Sequence, residues 1–277
     1  MSQTSQPGAM RDKLAAVLRA LRPCLLAVSG GVDSLTLAVL AARLLGGDFA
    51  AVHAAGPAVP GEAGDRLRRV AGDEGFSLTV IDAGELGDEN YISNPVNRCY
   101  YCKNRLFAAL RRQAQTIALA TGRTVAVVSG TNRDDLADFR PGLTAAAEHG
   151  VRHPYVEADM GKQEVRALAR ELGLDFAGIP ASPCLASRVY TGTKVTGEIL
   201  RAVDFAETFV KRATGLDVVR CRVRENEMLV ETSPPGALAA SLAAELAAAL
   251  RGQGHDFQTV SLDPHGYTPG RAFVKTP

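Results

Sequence analysis

The stretch Ser29-Gly30-Gly31-Val32-Asp33-Ser34 constrains this chain more than any other. The apolar run Cys24 to Val28 precedes it and reads as a buried parallel strand. Leu35 to Leu45 follows, apolar on nearly every side and long enough for a helix. The stretch is therefore a strand–loop–helix turn. Gly30 and Gly31 carry no Cβ, so backbone N–H groups can approach an anion closely. Ser29 and Ser34 add hydroxyl donors, and the following helix aims its positive end at the same spot. Such a loop is a phosphate cradle. Asp33 places a carboxylate in it, which makes sense when a cation bridges it to the phosphates, and Mg²⁺ suits that task.

No Gly-x4-Gly-Lys-Ser/Thr and no Gly-x-Gly-x-x-Gly accompanies the loop. The bland alternative is a glycine-rich turn with no ligand. The pattern resembles the PP-loop of the ATP pyrophosphatases, which cleave ATP between the α- and β-phosphates and adenylate a substrate. That resemblance implies ATP at Ser29, Gly30, Gly31, Asp33 and Ser34.

Around the loop the elements alternate. A helix is expected over 11–21, a strand over 24–29, a helix over 34–45 and a strand over 49–53. A helix near 63–74, a strand over 77–82, a helix near 103–120 and a strand over 124–129 follow. This order predicts an α/β fold, a Rossmann-like parallel sheet with helices on both faces. Ligands of such sheets bind at the carboxyl ends of strands. The strand at 124–129 ends in Ser129-Gly130-Thr131-Asn132-Arg133-Asp134-Asp135, so Gly130 and Asp134 are expected beside the first loop. The paired aspartates could hold the metal or cap the next helix. Arg140-Pro141-Gly142 reads as a turn that leaves an arginine near the phosphates.

After a helix at 162–172, two prolines stiffen the stretch 179–188. A helix over 195–214, a strand over 217–223, its hairpin partner over 228–232, a helix over 235–252 and a strand over 257–262 then predict a smaller α+β unit. The expected organisation is a disordered 1–10, an ATP-binding domain over 11–190 and a substrate or oligomerisation domain over 195–277.

The chain has 277 residues, 31 basic and 30 acidic, and a net charge of +1. That balance gives no nucleic-acid footprint. The polar start lacks an apolar signal region, and the alanine-rich run 238–250 is too short to span a bilayer. A cytoplasmic protein without a membrane partner is expected. In a reducing compartment the five cysteines read as ligands or nucleophiles rather than disulfides. Cys99 and Cys102 open a helix, where the dipole, Arg98 and Lys103 favour thiolates. The pair could be a redox disulfide, half of a metal site or two inert thiols. Cys184 sits in the stiff loop with Arg188 close by, whereas Cys24 and Cys221 fit buried structural roles. His149 and His153 are separated by helix breakers and give little metal signal. Arg220 and Arg222 share one strand face, either solvated or binding an anion such as a phosphate.

Taken together, Ser-Gly-Gly-Val-Asp-Ser at 29–34, Asn-Pro-x-x-Arg-Cys-Tyr-Tyr-Cys-Lys at 94–103, Gly-Thr-Asn-x-Asp-Asp at 130–135, Phe-Arg-Pro-Gly at 139–142 and Ala-Ser-Pro-Cys-Leu-Ala-Ser-Arg at 181–188 resemble the LarE family. Its members are ATP-dependent sulfur transferases that mature the nickel-pincer cofactor of lactate racemase. The resemblance runs from about residue 10 to about 232. It implies adenylation of a carboxylate on pyridinium-3,5-biscarboxylic acid mononucleotide, then conversion to a thiocarboxylate. It also implies substrate-phosphate binding by Arg220 and Arg222, a functional carboxylate and possible Mg²⁺ ligand at Glu231, and a trimer or hexamer. The tail Gly266-Tyr267-Thr268-Pro269-Gly270-Arg271 departs from the family pattern. Cys99, Cys102 and Cys184 together suit a [4Fe–4S] cluster with one open iron, and zinc or a Cys99–Cys102 disulfide are alternatives. A sacrificial Cys184 would instead become dehydroalanine. Two rival functions use the same residues: an ammonia-dependent amidating synthetase, and a non-enzymatic nucleotide-regulated metal or redox sensor.

Overall fold

A computed structural model describes residues 7–137 and 140–274. It contains the expected α/β architecture, a parallel sheet with helices on both faces and a smaller sheet toward the C-terminus. Chain contacts divide it into two compact units. One comprises the chain up to Gly56, Gly61–Ala83 and Cys99–Ala181; the other gathers Pro57–Pro60, Gly84–Arg98 and the chain from Ser182.

The first unit opens with α1 (Pro7–Ala20), β1 (Cys24–Ala27), α2 (Val32–Leu45), β2 (Phe49–Ala54), α3 (Gly61–Glu74) and β3 (Leu78–Ile81). The helix expected from residue 11 thus begins at Pro7, and residues 1–6 of the stretch expected to be disordered lie outside the described residues. The four strands, with β4 at Ala126–Ser129, are all parallel in the order β3-β2-β1-β4. Alternate residues of β1 face opposite sides. Leu26 packs with Leu14, Leu18, Leu37 and Leu168 on one face; Leu25 packs with Leu106, Phe107, Leu110 and Ala145 on the other. Burial on both faces explains why β1 is wholly apolar.

Between β3 and β4 lie the short α4 (Glu89–Ile92), in the second unit, and α5 (Arg98–Thr121), whose first turn contains Cys99 and Cys102. The Arg140-Pro141-Gly142 turn is corrected: Pro141 opens α6 (Pro141–Glu148). Proline is favoured at a first helical position, where its missing N–H costs nothing. The short α7 (Pro154–Glu157) and α8 (Lys162–Glu171) complete this unit.

The second unit carries α9 (Gly197–Thr214), β5 (Val218–Arg224), β6 (Glu227–Ser233), α10 (Ser241–Gly252) and β7 (Thr259–Leu262). β5 and β6 form an antiparallel hairpin, and β7 runs parallel to β6. The helix expected from residue 235 begins only at Ser241, because Gly236 adopts φ +70° and breaks the approach. Among the described residues no helix is long and apolar enough to cross a membrane.

Candidate active site

In the first unit the loop after β1 and the loop after β4 meet at the start of α2. The junction is tight because glycines allow it. A Cβ on Gly130 would stand 2.9 Å from the Ser34 Cα, and one on Gly30, at φ +79°, 2.3 Å from the Ala63 carbonyl oxygen. Both positions therefore need hydrogen in place of a side chain. No side chain caps α2. Its first-turn N–H groups have no intrahelical partner and point at this spot.

The serine hydroxyls also bond within the loop. Ser34 Oγ donates to the Gly31 carbonyl at 3.1 Å and accepts from the Ser29 N–H at 3.1 Å. The two hydroxyls also lie 3.2 Å apart. They staple the loop into this shape. Arg66 fixes the same loop by donating to the Gly30 carbonyl at 2.7 Å.

Asp33 is held by Asn132, whose Nδ2 donates to its Oδ2 at 2.9 Å. The loop after β4 therefore reaches the first loop, as its sequence suggested. Burial, then the charge of Asp135, push the Asp33 carboxyl above its usual range; the Asn132 hydrogen bond, Lys162 and Arg166 oppose them. A half-buried carboxylate with another acidic neighbour is suited to a divalent cation. Tyr155 braces the turn by donating to the Asp33 carbonyl at 3.0 Å.

The two adjacent aspartates divide their roles. Asp134 accepts from the Lys162 N–H at 2.8 Å, which caps the start of α8. Asp135 faces Asp33, and its carboxylate pairs with Arg140 at 2.9 Å and Lys162 at 3.3 Å. The sequence named Asp134 for the nucleotide and left both aspartates open to a metal or a helix cap; Asp135 is the one whose charge acts on Asp33. Of the Phe139 to Gly142 motif, Phe139 lies outside the described residues, and Arg140 answers Asp135.

The cysteines fall into two classes. Cys24 and Cys221 are buried. Burial, then Asp48, push the Cys24 thiol up to about 12, and burial, then Glu207, push Cys221 well above its ordinary value. Cys99 and Cys184 are exposed and Cys102 is half-buried. Cys99 and Cys102 lie one turn apart on the same side of α5. Among the described residues no three His, Cys, Asp or Glu side chains are arranged to hold a metal ion. The histidines go separate ways. His149 Nε2 lies 2.6 Å from Asn104 Oδ1, and His153 Nδ1 lies 2.9 Å from Ser129 Oγ.

In the second unit Cys184 stands just ahead of a helical turn, Leu185–Arg188. Arg188 is 1% exposed and forms a two-bond pair with Glu207, at 2.8 and 3.0 Å. Its Nη1 donates to the carbonyls of Pro183 and Cys184. Arg188 thus holds the loop that presents Cys184, and its charge also reaches the Cys184 thiol. Arg98 donates to the Ala186 carbonyl at 2.8 Å, and Asn94 donates to those of Tyr190 and Thr193. This gives the Asn-Pro-x-x-Arg half of its motif a structural role, which its sequence did not disclose.

Arg220 and Arg222 do share a face of β5, but each is only 4% exposed. Arg222 Nε donates to Glu231 at 2.9 Å, and Tyr267 lies over both guanidiniums at 5.4 and 5.7 Å. Glu231 is fully buried and also accepts from Arg271 at 2.9 Å. Two guanidiniums therefore already answer the carboxylate that was expected as a possible Mg²⁺ ligand. Tyr267 and Arg271 were missed because they lie in the divergent tail, and Asp263 because it stands just ahead of it.

No protein-family model matches the chain. It is 37% identical over 248 residues to an uncharacterized protein of Synechocystis sp., across 89% of this chain and 90% of that one. It is 27% identical over 207 residues to an uncharacterized protein of Methanocaldococcus jannaschii, across 75% and 76%. It is 32% identical over 259 residues to the pyridinium-3,5-bisthiocarboxylic acid mononucleotide synthase of Lactiplantibacillus plantarum, across 93% and 91%. Similarity of that extent, over nearly the whole of both chains, makes this protein a member of the LarE family.

Proposed function

We propose that this chain is an ATP-dependent sulfur transferase acting on a carboxylate of pyridinium-3,5-biscarboxylic acid mononucleotide. The observation that carries this reading is the full-length likeness to a synthase of the corresponding bisthiocarboxylic acid mononucleotide. The cradle at the start of α2 supplies the ATP half of the chemistry. A carboxylate is a poor electrophile until it is activated. Its oxygen attacks the α-phosphorus, the bond to the β-phosphate oxygen breaks, and pyrophosphate leaves toward the cradle. The α2 N–H groups, Lys162 and Arg140 stabilise the departing charge. Mg²⁺ on Asp33, with Asp135 beside it, would neutralise the same charge. A sulfur nucleophile then attacks the acyl carbon and displaces AMP.

Cys99, Cys102 and Cys184 are the accessible thiols, and thiolates are the donors that iron–sulfur clusters use. A [4Fe–4S] cluster on these three would supply sulfide without consuming a cysteine. The buried Cys24 and Cys221 have neither the access nor the acidity for that task. Arg220 and Arg222 are assigned to the substrate phosphate.

The test is turnover of anaerobically purified protein with Mg-ATP and the dicarboxylate mononucleotide. Pyrophosphate release together with an oxygen-for-sulfur exchange in the product is expected. Absence of pyrophosphate release with any carboxylate substrate sinks the reading. Iron content, and the mass of Cys184 after turnover, decide the sulfur source: a loss of hydrogen sulfide at Cys184 in iron-free protein means that it is sacrificed.

A further inference from the structure

The arginine pair of β5 is covered by the chain's own C-terminal segment. Thr268 offers its carbonyl to Arg222 Nη2 at 3.0 Å. The Tyr267 ring lies over Arg220 and Arg222. The segment is pinned at several points. Gly266 and His265 donate backbone N–H groups to Asp263 Oδ1, and the Tyr267 N–H donates to the Thr232 carbonyl at 2.9 Å. Arg271 bridges Asp263 and Glu231. Beyond it, the Thr191 N–H donates to the Ala272 carbonyl at 3.0 Å. Gly266 must be glycine, since at φ +78° a Cβ would stand 2.7 Å from the Thr232 carbonyl oxygen.

This arrangement has a chemical consequence. A phosphate oxygen seeks the donors that Thr268 and Tyr267 now cover. Arg222 already donates to Glu231, to the Ser187 carbonyl and to the Thr268 carbonyl. Glu231 and Ser187 belong to the hairpin and to the Cys184 loop. The carbonyl of Thr268 belongs to an exposed stretch, since Thr268, Pro269 and Gly270 are all exposed. It is therefore the partner that can leave most easily. Arg271 is one-third exposed, and its departure would leave Glu231 paired with Arg222.

We propose that residues 266–274 form a strap that closes the phosphate site of β5, and that a phosphate-bearing ligand binds only after displacing it. The strap and the ligand then compete for the same guanidiniums. This rests on the assignment of Arg220 and Arg222 to the substrate phosphate. A strap closed in about nine molecules of ten weakens the ligand about tenfold. Loosening the strap at Arg271 removes that penalty.

The experiment uses the full chain with two probes, the dicarboxylate mononucleotide and its dephosphorylated nucleoside. Trypsin cuts after Arg271, and the cut is read by mass spectrometry. On the native protein the saturating mononucleotide should speed that cut several-fold, and the nucleoside should not. Arg271→Gln should tighten the mononucleotide about tenfold by calorimetry and leave the nucleoside unchanged. An unchanged or slower cut under saturating mononucleotide overturns the strap, as does an Arg271→Gln variant that binds it no better. Arg220→Lys combined with Arg222→Lys separates the two ideas. If this variant loses the preference for mononucleotide over nucleoside while the strap tests fail, the phosphate assignment stands and the strap falls. If the preference survives the double substitution, the phosphate assignment fails and takes the strap with it.

Discussion

The proposed anion cradle of the first unit and the proposed phosphate arginines of the second unit are constructed by opposite means. The cradle uses backbone. Helix geometry leaves the first N–H groups of α2 without intrahelical partners, and Gly30 and Gly130 clear the space before them. Its cationic rim, Lys162 and Arg140, is about half exposed. The arginine pair uses side chains, and each is already engaged. Arg220 donates to the Val219 carbonyl, Arg222 answers Glu231, which Arg271 also meets, and Tyr267 lies over both members of the pair. A site made of backbone stands ready, because its donors cannot rotate away or find another partner. A site made of charged side chains must be satisfied internally when it is buried, since an unanswered buried charge is too costly.

The largest effect that tests this contrast belongs to the second unit. Glu207→Ala would leave Arg188 buried without its carboxylate and should cost about 3–5 kcal/mol of stability. Thermal and denaturant unfolding measure it. A loss below about 1 kcal/mol would mean that the charges there are not committed to one another, and the contrast fails.

Next is Asp33→Ala, which should cut pyrophosphate release by about 10²–10³-fold while the circular dichroism stays native. Asp135→Asn should harm the same rate more than Asp134→Asn, because Asp135 faces Asp33 and Asp134 caps α8. The reverse order would favour Asp134 as the residue beside the nucleotide.

Gly30→Ala attacks the cradle through its backbone. A left-handed residue other than glycine costs about 1–2 kcal/mol, and the added Cβ also meets Ala63. ATP affinity should fall about tenfold or more. An unchanged dissociation constant would show that the close approach is not needed.

The effect that vanishes at neutral pH concerns the Cys24 thiol. Burial, then Asp48, raise the Cys24 thiol from 9.0 to about 12 in the folded chain. The unfolded chain ionises first as pH rises, so the folded state binds the extra proton. Stability should therefore be intact below pH 9 and fall from there toward about 12, by at most about 1.4 kcal/mol per unit. Cys24→Ala should flatten that limb of the curve. An unchanged slope would mean that the thiol is more accessible than its burial indicates.

Much of this could be read from the residues because it is local. A strand, a glycine-rich loop and a helix within about twenty positions define the cradle, and neighbouring residues carry all the signals. The parallel sheet followed from alternating elements for the same reason. The burial of Cys24 was legible in its wholly apolar strand. The misread element bounds came from local signals that allow two outcomes, since proline suits both a turn and the first position of a helix. Pro141 was read as a turn residue although it opens α6, and Gly236 delays α10.

The sequence by itself determined the fold class, the strand–loop–helix turn at 29–34 and the separation of accessible from buried cysteines, because each depends on composition over a few adjacent residues. Only the tertiary structure decided which aspartate faces Asp33, what Arg188 holds, and what covers Arg220 and Arg222. Asn132 meets Asp33 across 99 positions, and Arg222 meets Thr268 across 46. Partners so distant leave no periodicity for a sequence to display. Burial then obliges each charge to find one, and the choice among several chemically equal partners is made by packing alone.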